Sequence, residues 1–392
     1  MISKKVRIAL QALIIVVLVI GCGLLGVFLG YNYVISQTER FDALEKAIES
    51  ETLVINESTP GAVMVVIRSG DNTSAIAANL KEMNLIENDL FFAVMSKFNG
   101  FDGGYLAGTH FLTKDLTYDE MMYILCQEPK VTRITFPEGM TYIQIKAALK
   151  EAGLSYNEAE LDECMSSANL FVDYKFISMI AADENRDFIL NGYLFPDTYD
   201  FDMSADAEEI VRTFLRNMNA KMQEDYYTRA DKLGMTMDEV IVLASLIQSE
   251  TNDTTDMLYI SAVFHNRLNS EDASLRRLGS CASINFLREK DGLPKVWAAS
   301  SADQLRESPY NTYLYEGLPP GPICMPGVDA IQAALYPEPN ANIFYFCATG
   351  DGGTAFATTY EEHQENIAKY EQYWTDEART EDTEASVTEA DG

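Results

Sequence analysis

One carboxylate in this 392-residue chain stands where it could move a proton. The stretch Val240-Ile-Val-Leu-Ala-Ser-Leu-Ile-Gln-Ser-Glu250-Thr251 is apolar until its last turn and closes on Glu250. Thr236 and Glu239, just ahead of it, have capping-box spacing, in which a hydroxyl and a carboxylate satisfy free backbone N–H groups reciprocally. The spacing therefore predicts a helix. Leu243, Leu246, Ile247 and Glu250 fall at i, i+3, i+4 and i+7 and share one face. Glu250 continues that apolar stripe. A carboxyl placed there loses hydration, which raises its pKa and keeps a proton on it near neutral pH. In that state it is a general acid. The plainer alternative is a solvated glutamate at a fraying helix end, and periodicity alone does not separate the two.

Other reactive residue types are sparse. The three histidines (His110, His265, His363) are scattered, and the six cysteines contain no CxxC pair. No metal site or cofactor is expected from them. A Cys281–Cys324 disulfide is conceivable, but no spacing supports it. The net charge of −31 excludes nucleic acid as a partner, because phosphate binding needs concentrated Lys and Arg.

The elements that must carry Glu250 read in order. Lys4, Lys5 and Arg7 precede an apolar run from Ile8 to Leu29. Twenty-two helical residues span roughly 33 Å, enough for a hydrocarbon core. Residues 1–34 are therefore expected to hold a cytoplasmic N-terminus and one transmembrane helix, leaving the rest extracytoplasmic at the cell membrane; the alternatives are a cleaved signal peptide and lipoprotein-type processing at Cys22. Residues 35–62 read as a stalk and linker. Within residues 63–130 an internal repeat begins. Ile67-Arg-Ser-Gly-Asp-Asn-Thr73 through Leu85 matches Phe136-Pro-Glu-Gly-Met-Thr141 through Leu154 without a gap, Gly70 with Gly139 and Leu80 with Leu149. Each copy reads strand, glycine turn, amphipathic helix. The first copy resembles the LysM fold, a small βααβ unit that binds N-acetylglucosamine polymers; packing alone is the competing explanation. Residues 131–375 form the remaining large domain. Its helices are broken by the aromatic, turn-rich Leu190–Tyr199, and its C-terminal strands around Gly350-Asp-Gly-Gly353 carry a hairpin signal. A last helix is expected from about Thr359. Residues 376–392 hold seven acids and no aromatic residue, the composition of a disordered acidic tail. The fold class is α+β.

Seven segments, taken together and in order, carry a resemblance. They are Phe136–Thr141, Gly192-Tyr-Leu-Phe-Pro-Asp-Thr-Tyr199, Leu243–Thr251, Val263-Phe-His-Asn-Arg-Leu268, Ser308-Pro-Tyr-Asn-Thr-Tyr313, Gly317-Leu-Pro-Pro-Gly-Pro-Ile323, and Phe344-Tyr-Phe346 with Asp351-Gly-Gly353. The chain resembles the endolytic murein transglycosylase, or YceG-like, family over nearly its whole length. Departures from the family pattern are Gln248 for an earlier glutamate, Asn191 for an acid before Gly192, and Gly279-Ser-Cys-Ala-Ser283 for a Gln-Thr/Ser-Asp-x-Thr stretch.

The resemblance implies that Glu250 is the catalytic acid/base of a metal-free lytic transglycosylase. Such an enzyme cleaves the β-1,4 bond from N-acetylmuramic acid to N-acetylglucosamine without water and leaves 1,6-anhydro ends. Within such a site Asn266, Ser280, Asn311, Thr312 and Tyr313 are candidates for hydrogen bonding to sugar hydroxyls and acetamido groups, and Gln248 either contacts substrate from a flank or caps; for each the alternative is a loop-stabilising hydrogen bond. Arg267 is expected to pair with an acid. Peptidoglycan strands are the implied substrate, and penicillin-binding proteins of the elongation machinery are implied partners. Two rivals are a hydrolytic muramidase and a catalytically silent, peptidoglycan-binding scaffold for synthesis enzymes.

Overall fold

The computed structural model describes residues 59–374 continuously, together with Ile15, residues 17–27, residues 42–47, Leu53 and residues 55–56. Residues 8–14, 16, 28 and 29 of the expected membrane segment, more than half of the stalk and linker, and all of the acidic tail lie outside the described residues. Residues 17–27 are helical and exposed. Among the described residues no helix is long and apolar enough to cross a membrane. The chain divides into two compact units between Val131 and Thr132.

The first unit runs β1 (Val63–Ile67), α1 (Thr73–Glu82), α2 (Asp89–Phe98), β2 (Gly108–Leu112) and α3 (Tyr118–Leu125). β1 and β2 are antiparallel, with Val63 opposite Leu112 and Ile67 opposite Gly108. Asn72 and Asn88 cap the two helices between the strands, each accepting from a backbone N–H of the first turn. Val65, Ile76, Leu80, Phe92, Leu112, Met122 and Leu125 fill the core of this unit.

The second unit holds β3 (Val131–Thr135), α4 (Tyr142–Glu151), α5 (Glu158–Ser166), β4 (Thr198–Asp202), α6 (Ala207–Lys221), α7 (Glu224–Leu233), α8 (Met237–Glu250), α9 (Thr254–Leu268), α10 (Cys281–Lys290), α11 (Ser301–Gln304), α12 (Val328–Leu335), β5 (Tyr345–Ala348), β6 (Thr354–Ala357) and α13 (Tyr360–Tyr370). β3 pairs with β4, and β5 with β6 in an antiparallel hairpin. The internal repeat is visible in three dimensions: α1 and α4 each have ten residues, are capped by Asn72 and Thr141, and follow Gly70 and Gly139 in the left-handed region. Only glycine takes that turn without strain.

α8 is the central helix. The capping box of Thr236 and Glu239 forms, with the hydroxyl accepting from the Glu239 N–H and the carboxylate from the Thr236 N–H. Every residue from Val240 to Gln248 is buried, on all faces of the helix. The single-face stripe expected from the sequence is thus too narrow a description. A helix apolar all round is one packed on every side, here by α12, α9, α10 and α7. Each fully buried leucine or isoleucine contributes about 1.5–3 kcal/mol, so α8 is a rigid rod with its end on Glu250.

Candidate active site

Both ends of α8 are fixed by polar groups. At its start Asp238 pairs with Arg186 at 2.7 Å and accepts from the Tyr193 hydroxyl at 2.6 Å. At its end the segment from Ile323 to Gly327 runs alongside the last two turns. The Ile323 N–H donates to Ser245 Oγ at 3.0 Å, Ser249 Oγ donates to Cys324 Sγ at 3.2 Å, and the Gly327 N–H donates to Gln248 Oε1 at 3.0 Å. Among the described residues no disulfide joins Cys281 to Cys324, so the conceivable bridge is not formed.

Glu250 closes α8 at the N-terminus of α10. Ser280, the residue before α10, donates its hydroxyl to Glu250 Oε1, and the Ala282 N–H also reaches the carboxyl. Ser280 makes no capping bond to its own helix, so Glu250 supplies that cap from outside. Burial raises the pKa of Glu250; the Ser280 hydroxyl and then the Ala282 N–H pull against that rise. The partial positive charge at the start of α10 acts in the same sense as these two donors. The carboxyl is therefore biased towards the protonated form but has a ready-made cradle for the ionised one.

A second ring of bonds holds Ser280. Its N–H donates to Thr312 Oγ1 at 3.0 Å, the Gly279 N–H donates to the Thr312 carbonyl at 2.9 Å, and Ser283 Oγ donates to the Ser280 carbonyl at 2.8 Å. Gly279 has φ of +59°, which turns the chain into α10. Tyr313 lies over this turn, half-buried. Burial raises its pKa well above the ordinary phenol range, and the Cys281 and Glu250 charges add to the rise. Tyr313 thus stays a neutral donor beside Glu250.

The remaining candidate sugar contacts have the following surroundings. Asn311 is fully buried, and its amide caps the Asp303, Gln304 and Arg306 carbonyls. Thr312 is buried behind Ser280. Asn266 gives both amide hydrogens to the Ala341 and Ile343 carbonyls and holds the approach to β5. Gln248 is buried, with its oxygen on Gly327 and its amide on Asn252 at 3.3 Å. Ser280 is itself buried and faces Glu250. These five shape the site from behind. Among the described residues Arg267 finds no acid: its guanidinium donates to the Leu275, Arg277 and Phe344 carbonyls and stacks on Tyr345.

Two groups escaped the sequence reading. The Ala282 N–H has no side-chain signal, although a serine before a helical run hinted at a helix start there. Glu138 stood inside a quoted motif without a role; its carboxyl is raised in pKa by burial, then by Asp329, and lowered by a hydrogen bond from Gln248.

A rigid buried helix ending in one desolvated carboxyl, cradled by a hydroxyl and a helix N-terminus, is the kind of site that works with a single acid/base group. The sequence profile of the YceG-like family matches residues 65–369, and the chain belongs to this family. It is 27% identical over 365 residues to an endolytic murein transglycosylase of Streptococcus pneumoniae serotype 2 strain D39, covering 88% of this chain and 62% of that one. The chain thus spans less than two thirds of that relative. It is 28% identical over 324 residues to an endolytic murein transglycosylase of Bacillus subtilis strain 168, covering 81% of this chain and 87% of that one. Among solved structures it resembles a yceG-like protein from Listeria monocytogenes, with a TM-score of 0.53, 27% identity, and coverage of 78% of this chain and 98% of that one.

Proposed function

We propose that this chain is a membrane-anchored endolytic lytic transglycosylase that cuts nascent peptidoglycan strands, with Glu250 as general acid and then base. The observation that carries this reading is the placement of Glu250: desolvated, yet cradled by Ser280 and the Ala282 N–H. Ser280 engages Oε1, which directs the transferable proton to Oε2. Protonated Glu250 gives that proton to the glycosidic oxygen as the bond to the muramoyl C1 breaks. The leaving N-acetylglucosamine departs with a free hydroxyl. The carboxylate left behind is stabilised by its two donors and by the start of α10. It then takes the proton of the muramoyl C6 hydroxyl, whose oxygen closes on C1. One carboxyl is thereby restored, and no water is consumed. The nucleophile belongs to the substrate, so the second carboxylate of a hydrolytic glycosidase is not needed, and proximity of the C6 hydroxyl supplies much of the rate.

The test is Glu250→Gln. The variant should fold and bind glycan strands but release no anhydro-muropeptides. Release at the wild-type rate ends the assignment. Reducing-end products from the wild type favour a muramidase, and binding without turnover favours a scaffold.

The basic flank and apolar run of residues 4–29 support an anchor with a cytoplasmic N-terminus. An anchor holds the site close to the outer leaflet, where strands are being made and where penicillin-binding proteins work. Protease protection of the N-terminus in intact cells, and cross-linking to those synthases, test these points. The β1-α1-α2-β2 order of the first unit supports a LysM-like glycan-binding role. If the chain with β1–β2 surface residues altered pellets with peptidoglycan as well as the wild type does, that role is lost.

A further inference from the structure

The first unit carries a helix that is apolar on both sides and packed on one. α2 reads Asp-Leu-Phe-Phe-Ala-Val-Met-Ser-Lys-Phe. At about 100° per residue, Phe92 and Ser96 share one side. Both are fully buried, Phe92 against Tyr105 and Tyr118, and Ser96 accepting from the Tyr105 hydroxyl at 2.7 Å. Leu90, Phe91 and Val94 fall on the opposite side and are 72%, 53% and 43% exposed. A helix apolar all round is normally covered all round, as α8 is. The charges of α2 do not interrupt its outward face. Asp89 is engaged by Lys81 at 2.7 Å, and the exposed Lys97 lies at the edge of the face.

The residues ahead of β1 tie this unit to the expected anchor. Leu44 and Leu53, within the stretch read as stalk and linker, are buried in the core of the first unit. The Leu53 N–H donates to the Ala47 carbonyl at 3.0 Å. Fourteen residues, 30 to 43, separate Leu44 from the end of the apolar run at Leu29. Fully extended, they reach about 50 Å. A tether of that length makes docking on the bilayer an intramolecular event, so even a weak contact is populated. We infer that the outward face of α2 docks on the lipid surface beside the chain's own anchor. The inference rests on the reading of residues 8–29 as that anchor. Leu90, Phe91 and Val94 offer no hydrogen bond, which a sugar needs from its binding face and the acyl boundary of a bilayer does not. Phe91 pairs with Tyr118, ring centroids 5.8 Å apart, and aromatic rings of this kind settle at the head-group level. Lys97 lays its stem along the apolar face and puts its ammonium among the head groups.

The experiment places the full chain in phosphatidylcholine vesicles whose acyl chains are either ordinary or brominated, bromine being a contact quencher of indole emission. Phe91→Trp adds one tryptophan on the outward face to the native Trp297 and Trp374. The added emission, taken as the difference from the wild type, should fall by about half in brominated vesicles. Leu90→Ser/Val94→Ser in the same background should abolish that fall; all three positions are exposed, so the fold is kept. Equal added emission in both kinds of vesicle, from a chain that resists carbonate extraction, overturns the inference and leaves the anchor standing. A chain that washes off in carbonate ends the anchor reading and the inference with it. Quenching that survives Leu90→Ser/Val94→Ser also overturns the inference. So does an added tryptophan that bromine does not quench but that is shielded from aqueous iodide: shielding that rises with the protein-to-lipid ratio assigns the face to a second copy of the chain, and shielding that needs added glycan strands assigns it to sugar.

Discussion

Ser280→Ala is the most informative single change in the site. It deletes the hydroxyl that donates to Glu250 Oε1 and leaves the Ala282 N–H and the start of α10 in place. Ser280 is 2% exposed, so water cannot readily take over the donor position. A hydrogen bond to an ionised group contributes about 1.5–3 kcal/mol. At about 1.4 kcal/mol per pKa unit, its loss raises the pKa of Glu250 by about 1–2 units. The direction follows from which form Ser280 stabilises. The hydroxyl favours the carboxylate, so its removal favours the acid. Proton donation fails as pH rises through the pKa of Glu250. The basic limb of the kcat/KM profile should therefore move up by about 1–2 pH units. The plateau should fall about tenfold or more, because the returning proton is now taken by a carboxylate with one donor fewer and a looser orientation. The assay is turnover of glycan strands across pH, with the folded fraction followed by circular dichroism. A basic limb that stays in place, or that moves to lower pH, refutes the reasoning.

Three further outcomes follow from the same structure. Glu250→Gln should be more stable than the wild type near neutral pH, because the raised pKa of Glu250 means that its contribution to stability is complete only below the ordinary value of 4.5 and is lost as pH rises through the folded value; melting temperatures should separate at about pH 7.5 and converge at about pH 4. Leu243→Ala, at a fully buried position of α8, should lose about 2–5 kcal/mol in urea unfolding; a loss under about 1 kcal/mol would deny the all-round packing of that helix. Asp238→Asn should destabilise by about 3–5 kcal/mol by leaving Arg186 buried and unpaired, and the paired change Arg186→Met/Asp238→Leu should lose less; equal losses would contradict the buried-pair account.

Local signals were legible in the sequence. The capping box at Thr236, the helix start near Thr359, the hairpin around Gly350 and the repeated turn at Gly70 and Gly139 all form, because each depends on residues within a few positions of one another. What depends on distant partners was not legible. The burial of α8 on every face comes from α12, α9, α10 and α7, and a helical pattern of eleven residues cannot show how many neighbours it will have. Asn311 and Thr312 looked like cleft residues because polar residues in proline-rich loops face either way; here the loop folds inwards, and they serve the carbonyls of α11 and the backbone of Ser280. Helical phase singled out Glu250 and the family resemblance gave it its expected role, but its cradle was not legible, since half of it is a backbone N–H.

The central claim is that one carboxyl breaks the glycosidic bond without water. It is tested most directly by incubating the full chain with glycan strands in oxygen-18 water and weighing the products. The account predicts anhydro ends, lighter by one water than reducing ends, with no label incorporated. One labelled oxygen at each new end would contradict it.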